Sequence, residues 1–191
     1  MTMPLIFTGA LVIALIAWTI FGRRRLDSAW QQLAEQVGGQ YVGGGLFRSG
    51  KVQATSGGST ITLDTYSVGA GDSSTQYTRI RAPLQNAGHF EFTVFREGLI
   101  GKLDKALGAQ DIHIGVPDFD HDFVIQGNDE AKVRTLLAGA CIRQLIQEQK
   151  SIRLTLKGDL LRFEAQGVIK DLPRLKALFD LFAALLQRLQ A

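Results

Sequence analysis

The sequence contains a single cysteine, Cys141, among its 191 residues. An intramolecular disulfide is therefore impossible, which suits a compartment that keeps thiols reduced. Motifs for nucleophilic catalysis are also missing, since neither a GxSxG elbow nor a paired Cys-His motif occurs. We expect Cys141 to pack as a small apolar residue in a helix. These absences argue against the familiar classes of nucleophilic hydrolase.

Charge is absent from residues 3–22, and no Lys or Arg precedes this run. At ~1.5 Å per residue, twenty helical residues cross the hydrocarbon core of a bilayer, which is roughly 30 Å thick. The C-terminal end of this run, at 18–22, carries bulky residues and lacks the small residues of a signal-peptide cleavage site. Residues 1–25 therefore predict a retained transmembrane anchor. Its expected lipid contacts are Leu5, Ile6, Leu11, Val12, Ile13, Leu15, Ile16, Trp18 and Phe21.

Three arginines, Arg23, Arg24 and Arg25, follow the apolar run. Cationic flanks stay in the cytoplasm, so we predict a single-pass protein of a bacterial inner membrane, with its N-terminus outside and its domain in the cytoplasm. The arginines would contact lipid headgroups, and Trp18 and Trp30 would bracket the inner interface.

The basic excess of the chain is confined to this triplet. The sequence has 21 Lys+Arg and 18 Asp+Glu, so the three arginines account for the whole formal charge of +3. The remainder is balanced and shows no basic stripe with interleaved aromatic residues. We therefore expect no binding of nucleic acid.

Residues 26–39 predict a juxtamembrane amphipathic helix that ends at Gly38-Gly39, and 40–191 predict one cytoplasmic domain. Alternating runs separated by turn residues predict strands, and runs with helical spacing predict helices. The expected fold class is α+β, with a mainly antiparallel sheet packed with helices after the single transmembrane helix. The predicted strands cover 51–55, 60–67, 75–82, 89–96, 122–126, 152–156 and 160–165, and Ser56-Gly57-Gly58-Ser59 predicts a hairpin between the first two. Alternation within 75–82 places Tyr77, Arg79 and Arg81 on one side of that strand. The predicted helices cover 98–107, a pair that is capped at Asn128 or Asp129 and breaks at Ala138-Gly139, and Leu172–Leu189, which is capped by Asp171.

The last predicted helix has an apolar face that fills nearly half its circumference. One interpretation is that the whole face packs on the sheet. The other leaves part of it for a partner or the membrane surface, and Leu181, Leu185 and Leu189 are then the candidate partner surface. We expect Phe182 to be core and Leu181 to lie at the tolerant rim.

Gly45 to Lys51 match the first seven positions of a phosphate-binding loop, GxxxxGK. The eighth position is Val52 instead of Ser or Thr, and Lys51 begins a predicted strand where the motif needs a helix. The match therefore predicts a glycine-rich loop and no nucleotide site.

Six potential metal ligands fall within twelve residues: Asp111, His113, Asp118, Asp120, His121 and Asp122. If 118–122 are extended, their three aspartates share one face, which suits either a metal site or a solvated acidic surface. His89 stands alone on its predicted strand. We predict no bound metal or other cofactor and keep the acidic cluster as the alternative.

The segment Asp118 to Leu137, DFDHDFVIQGNDEAKVRTLL, resembles one in uncharacterised bacterial membrane-anchored proteins, where it reads F-D-x-x-F-V-x-G-x-D. The runs TQYTRIRAP (75–83) and 92–98 resemble the same group. That resemblance implies a span joined to a cytoplasmic domain of unknown function, and it implies no catalytic residues.

Together these patterns predict a non-catalytic, single-pass accessory or structural subunit. It would dock on the cytoplasmic face of a larger bacterial membrane complex, of which respiratory and photosynthetic assemblies are examples, with other membrane-protein subunits as partners. The alternative is a membrane-tethered enzyme or metal-dependent sensor that uses the Asp111–Asp122 cluster.

Overall fold

The structure is a computed structural model, and it describes residues 26–45, 50–69, 73–85, 88–96 and 111–190. The predicted anchor at 1–25, with Arg23–Arg25, and the predicted helix at 98–107 lie outside these ranges. Within them, no helix combines the length and the apolar character needed to cross a membrane.

The described residues form five helices and one sheet of eight strands, so the predicted α+β class and antiparallel sheet are confirmed. In chain order the elements are α1 (26–36), β1 (Gln40–Val42), β2 (Lys51–Ser56), β3 (Ser59–Val68), β4 (Thr75–Pro83), β5 (Phe92–Arg96), α2 (Pro117–Asp122), β6 (Phe123–Gly127), α3 (Glu130–Leu137), α4 (Ala140–Gln147), β7 (Arg153–Lys157), β8 (Leu160–Gln166) and α5 (Leu172–Leu189).

The strands lie in the order β1-β2-β3-β4-β8-β7-β5-β6, and every neighbouring pair is antiparallel. Three of these pairs, β1–β2, β2–β3 and β3–β4, join strands that are consecutive in the chain, and they form one end of the sheet. The remaining strands continue the sheet from β4, because β8, which forms a hairpin with β7, pairs with β4. The two halves of the chain therefore share one continuous sheet.

Glycines make the first hairpin tight. Gly57 and Gly58 both have positive φ, 56° and 77°, which is the conformation that a two-residue type I′ turn requires. At Gly39, which joins α1 to β1, an added Cβ would lie only 2.4 Å from the backbone oxygen of Gln53. Glycine there lets the end of α1 approach the sheet.

The hydrophobic core lies on one face of the sheet, where the helices pack. Helix α1 contributes Trp30 and Leu33, both with no exposed area, and the Trp30 indole donates a hydrogen bond to the Ile169 carbonyl at 3.3 Å. The prediction that Trp30 sits at the membrane interface is therefore wrong. A buried indole needs a partner for its N–H, and here the domain itself supplies one.

Helix α5 buries more of its apolar face than predicted. Leu181, Phe182 and Leu185 have no exposed area, while Leu189 is half-buried. The reason is that α5 packs on the sheet and also against α3 and α4, so its wide apolar face is covered from two sides. Phe182 is confirmed as core. Leu181 and Leu185 are core residues as well, which corrects their assignment to a partner surface.

Residues 117–122 form helix α2, so the extended conformation considered for 118–122, in which the three aspartates would share one face, does not occur. Pro117 occupies the first turn, where its fixed φ favours a helix. The Asp120 carboxylate accepts hydrogen bonds from the backbone amides of Ile114, Gly115 and Val116 at 2.8 to 3.1 Å. The strand begins one residue later than predicted, at Phe123. His89, predicted on a strand, instead lies in a turn with φ of 60°.

The predicted helix boundaries after Asp129 are confirmed. The Asp129 side chain accepts a hydrogen bond from the Lys132 amide at 3.0 Å, and Asp171 does the same for Arg174 at 2.8 Å. Such N-terminal caps satisfy amides that have no partner within the helix. Helices α3 and α4 are separate, with the break at Ala138-Gly139 as predicted.

Candidate functional site

The sheet face opposite the core, here called the open face, carries polar and charged side chains over β3, β4, β8 and β7. One polar face and one apolar face are the usual consequence of alternation in an antiparallel sheet. Towards β5 the open face becomes apolar at Phe95, which is 5% exposed although it lies outside the main core cluster. The central open-face residues are Thr62, Asp64, Tyr66, Tyr77, Arg79, Arg81, Arg153, Thr155, Arg162 and Glu164.

Four charged residues lie side by side across these strands and form what we call the alternating row. Asp64 of β3 pairs in register with Arg79 of β4, Arg79 with Glu164 of β8, and Glu164 with Arg153 of β7. Opposite charges on directly opposed strand positions attract one another. Each charge in this row therefore lies opposite a charge of the other sign on the neighbouring strand, and the four charges sum to zero.

The Asp64 carboxylate is the centre of the alternating row. Its two oxygens accept hydrogen bonds from Nε and Nη2 of Arg79, both at 2.9 Å, and Oδ2 also accepts one from Nη2 of Arg81 at 2.7 Å. The hydrogen bond with Asp64 raises the pKa of Arg79, and burial opposes this rise. Asp64 and Arg79 side chains are only 17% and 22% exposed, so both groups are held in place.

Tyr66 connects the alternating row to the ring of Tyr77. Its hydroxyl donates a hydrogen bond to Oε1 of Glu164 at 2.8 Å, and its ring stacks on Tyr77 with 5.4 Å between centroids. The Arg79 guanidinium lies 4.8 Å from the centroid of the Tyr66 ring. Burial, followed by the contact with Glu164, raises the pKa of Tyr66 to about 12. The phenol therefore stays a hydrogen-bond donor at any physiological pH.

The adjacent row, here called the arginine row, has a different composition. Thr62 of β3 pairs with Arg81 of β4, Arg81 with Arg162 of β8, and Arg162 with Thr155 of β7. The Nη1 atom of Arg162 lies 3.7 Å from Oε1 of Glu164, beyond hydrogen-bond distance. Hydrogen bonds hold Asp64, Arg79, Arg81 and Glu164 within this lattice of two rows, an arrangement that is suited to recognition.

The acidic cluster does not converge on one point. Asp111 accepts a hydrogen bond from the Gln126 side chain, Asp120 caps the loop before α2, and Asp122 forms an ion pair with Arg96 at 3.0 Å. No group of three His, Cys, Asp or Glu side chains within the described ranges could hold a metal ion. The carboxylates of this cluster therefore serve local structure at separate places.

A buried polar cluster that the sequence did not predict joins the end of α4 to α5. Gln149 has no exposed area, and its Oε1 accepts a hydrogen bond from Nε of Arg174 at 3.0 Å. Burial lowers the pKa of Arg174. Arg96 donates to the carbonyl of Gln147 at 3.2 Å from the sheet side. These contacts fix the turn between α4 and β7 and leave no accessible reactive group.

A cavity of about 760 Å³ lies between α3, the end of α5 and the loop after β4, with Leu189 among its lining residues. Leu84, Phe90 and Leu136 form much of its apolar wall. Arg188 at its edge donates to the Thr135 carbonyl at 3.2 Å and so satisfies the C-terminus of α3. Of the three leucines predicted as a partner surface, Leu189 alone retains exposed area.

Two other sequence predictions concern reactive or binding groups. Lys51 begins β2 as predicted, so no helix starts at this lysine to bind a phosphate, while 46–49 lie outside the described ranges. Cys141 is exposed on α4, so the expectation that it packs as a core residue is wrong. The reason is that Ile142 and Ile146 fill the buried side of α4.

The sequence predicted the strand at 75–82 and placed Tyr77, Arg79 and Arg81 on one side of it. It did not predict their neighbours, because Glu164 and Arg162 come from a strand about eighty residues further along the chain. Comparisons with protein-family models, with characterised proteins and with solved structures give no match to this chain.

Proposed function

We propose that this chain is a non-catalytic, single-span accessory subunit that docks on the cytoplasmic face of a larger bacterial membrane complex through the open face of its sheet. The observation that carries this proposal is the lattice of charged and hydroxyl side chains on the open face, opposite the helices. Five of its side chains, Asp64, Tyr66, Arg79, Arg81 and Glu164, are held by hydrogen bonds to one another before any partner binds.

The order of this lattice favours docking for an energetic reason. Association normally costs about 0.5–1.5 kcal/mol for each flexible side chain that becomes immobilised. Asp64, Arg79 and Tyr66 are already held by hydrogen bonds of 2.8 to 2.9 Å. Much of this ordering cost is therefore met during folding, and a partner with complementary charges would bind side chains that are already ordered.

The predicted anchor supports the same function. A protein held at the membrane by residues 3–22 meets other membrane proteins at a high effective concentration, so a modest contact area suffices. The predicted cytoplasmic orientation places the domain beside the cytoplasmic surfaces of such complexes. The acidic cluster, by contrast, gives little support to the metal-dependent alternative, because three of its four carboxylates, Asp111, Asp120 and Asp122, have separate partners.

The test is purification of the full chain, tagged at its C-terminus, from native membranes in a mild detergent. We expect membrane-protein subunits to co-purify in fixed stoichiometry. A Thr155→Trp variant places a large ring on the open face and should abolish this co-purification. The matched control is Gln147→Trp on the exposed side of α4, which should retain the partners.

Two outcomes would contradict the proposal. In one, the wild-type chain purifies as a clean monomer in several mild detergents. In the other, Thr155→Trp and Gln147→Trp retain the same partners in equal amounts, which would place the contact elsewhere on the domain or in the anchor.

A further inference from the structure

The open face has more arginines than carboxylates, and we infer that it binds a carboxylate of an acidic partner segment between Arg81 and Arg162. The identification of a docking partner as the source of this carboxylate rests on the function proposed above. The site itself consists of residues of this chain alone and is testable without the partner.

The charge excess has a definite location. The alternating row contains two arginines and two acids, and it is neutral. The arginine row contains Arg81 and Arg162 with threonines on both sides, and it has no acid in register. The surplus of two positive charges therefore lies at one pair of directly opposed residues.

This pair is costly in the unliganded sheet. Directly opposed positions on antiparallel strands place their Cβ atoms about 4.5–5.5 Å apart, and like charges at that spacing are destabilising. Arg81 donates one short hydrogen bond to Asp64, but that carboxylate also accepts two hydrogen bonds from Arg79. An additional negative charge between Arg81 and Arg162 would relieve the repulsion.

Arg81 also has an unused donor. Its Nε atom is buried and has no hydrogen-bond partner within the described part of the chain. A buried N–H without a partner is unfavourable, so Arg81 is incompletely satisfied in the unliganded sheet. The side chain as a whole is 39% exposed, as is that of Arg162, so a ligand has access to both.

The neighbours of the pair favour a single carboxylate over an anionic membrane surface. Asp64 and Glu164 lie in the adjacent row and would repel a broad sheet of negative headgroups. Thr62 and Thr155 flank the arginines and offer hydroxyl donors at the same level of the sheet. A Glu or Asp side chain projecting from a partner segment meets this arrangement with one localised charge.

The first experiment tests the site on the full chain in detergent micelles. Tetraglutamate is titrated as the probe, with tetraglutamine as the neutral peptide, and thermal unfolding is recorded. We expect tetraglutamate alone to raise the melting temperature of the wild-type chain. The rise should disappear in Arg81→Gln/Arg162→Gln and persist in Arg134→Gln, a control that removes an exposed arginine from α3.

The second experiment measures partner binding with the same variants. Each single change, Arg81→Gln or Arg162→Gln, should weaken co-purification or measured affinity about tenfold, the usual effect of losing one charge-assisted hydrogen bond. The melting temperature without ligand should stay equal or rise in Arg162→Gln, because the like-charge repulsion is removed. In Arg81→Gln it should fall by a few degrees at most, because the loss of the hydrogen bond to Asp64 opposes that gain. Retained folding with lost binding separates a binding role from a structural one.

The outcomes distinguish this inference from the proposed function. Stabilisation by tetraglutamate that requires both arginines supports the site even if no partner co-purifies, which would contradict only the docking function. Full partner binding by the double variant overturns the inference and leaves docking intact. Equal stabilisation by inorganic phosphate or by phosphatidylglycerol vesicles, with none by tetraglutamate, also overturns it.

Discussion

The Leu181→Asp variant is expected not to fold. Leu181 has no exposed area, and its neighbours in the α5 face, Phe182 and Leu185, are equally buried. An aspartate there would bury a carboxylate without a cation or hydrogen-bond donor, at a cost of several kcal/mol. This approaches the whole free energy of unfolding of a domain, about 5–15 kcal/mol. The variant should fail to accumulate when the full chain is expressed.

The matched control is Leu189→Asp at the last residue of the same helix. Leu189 is half-buried at the cavity beside Arg188, so an aspartate there retains contact with water. We expect Leu189→Asp to accumulate at near wild-type levels, with a melting temperature lowered by a few degrees at most. Accumulation of Leu181→Asp with unchanged melting would show that α5 does not pack as described.

Removal of residues 2–25 is expected to shift the chain from the membrane fraction to the soluble fraction. Ten Leu, Ile, Val or Phe residues within 3–22 together favour insertion by roughly 3–6 kcal/mol on the biological scale. Fractionation and immunoblotting of the tagged chain measure the shift, and a deletion variant that still pellets with membranes would contradict the prediction.

The same segment is predicted to set the orientation of the domain. A C-terminal reporter that is active only in the cytoplasm should be active on the wild-type chain, because Arg23–Arg25 follow the apolar run. Moving the three arginines to residues 2–4 should reduce that activity. Activity solely from a reporter that requires the periplasm would overturn the predicted orientation.

The local structure of this domain could be predicted because its signals lie close together in the chain. The Gly57-Gly58 turn defined the first hairpin, and Asp129 and Asp171 defined two helix starts through their caps. Each signal depends on residues within four positions of one another. Where a local signal was weak, as at Pro117 beside several aspartates, a helix was not predicted.

Long-range packing could not be predicted in the same way. Leu181 was placed at the rim of α5 because a helical wheel shows the width of an apolar face but not how many neighbours cover it. Trp30 was assigned to the membrane interface because an indole beside a predicted span is typical of that position. In the structure its N–H instead donates a hydrogen bond to the carbonyl of Ile169, which is far along the chain. Both errors arise from contacts between distant segments.

The candidate site shows the same division. Alternation along 75–82 identified Tyr77, Arg79 and Arg81 as one face, which the structure confirms. The opposition of Arg81 and Arg162 depends on the register between β4 and β8, and no local pattern encodes it. The site is therefore a product of sheet topology.

The most direct test of the docking face is photo-crosslinking in native membranes. A photoreactive amino acid is placed at Thr62 on the open face in one variant and at Gln187 on the exposed side of α5 in the other. We predict a discrete crosslinked product with one membrane-protein subunit from Thr62 and none from Gln187. A product from Gln187 alone, or equal products from both positions, would contradict docking through the open face.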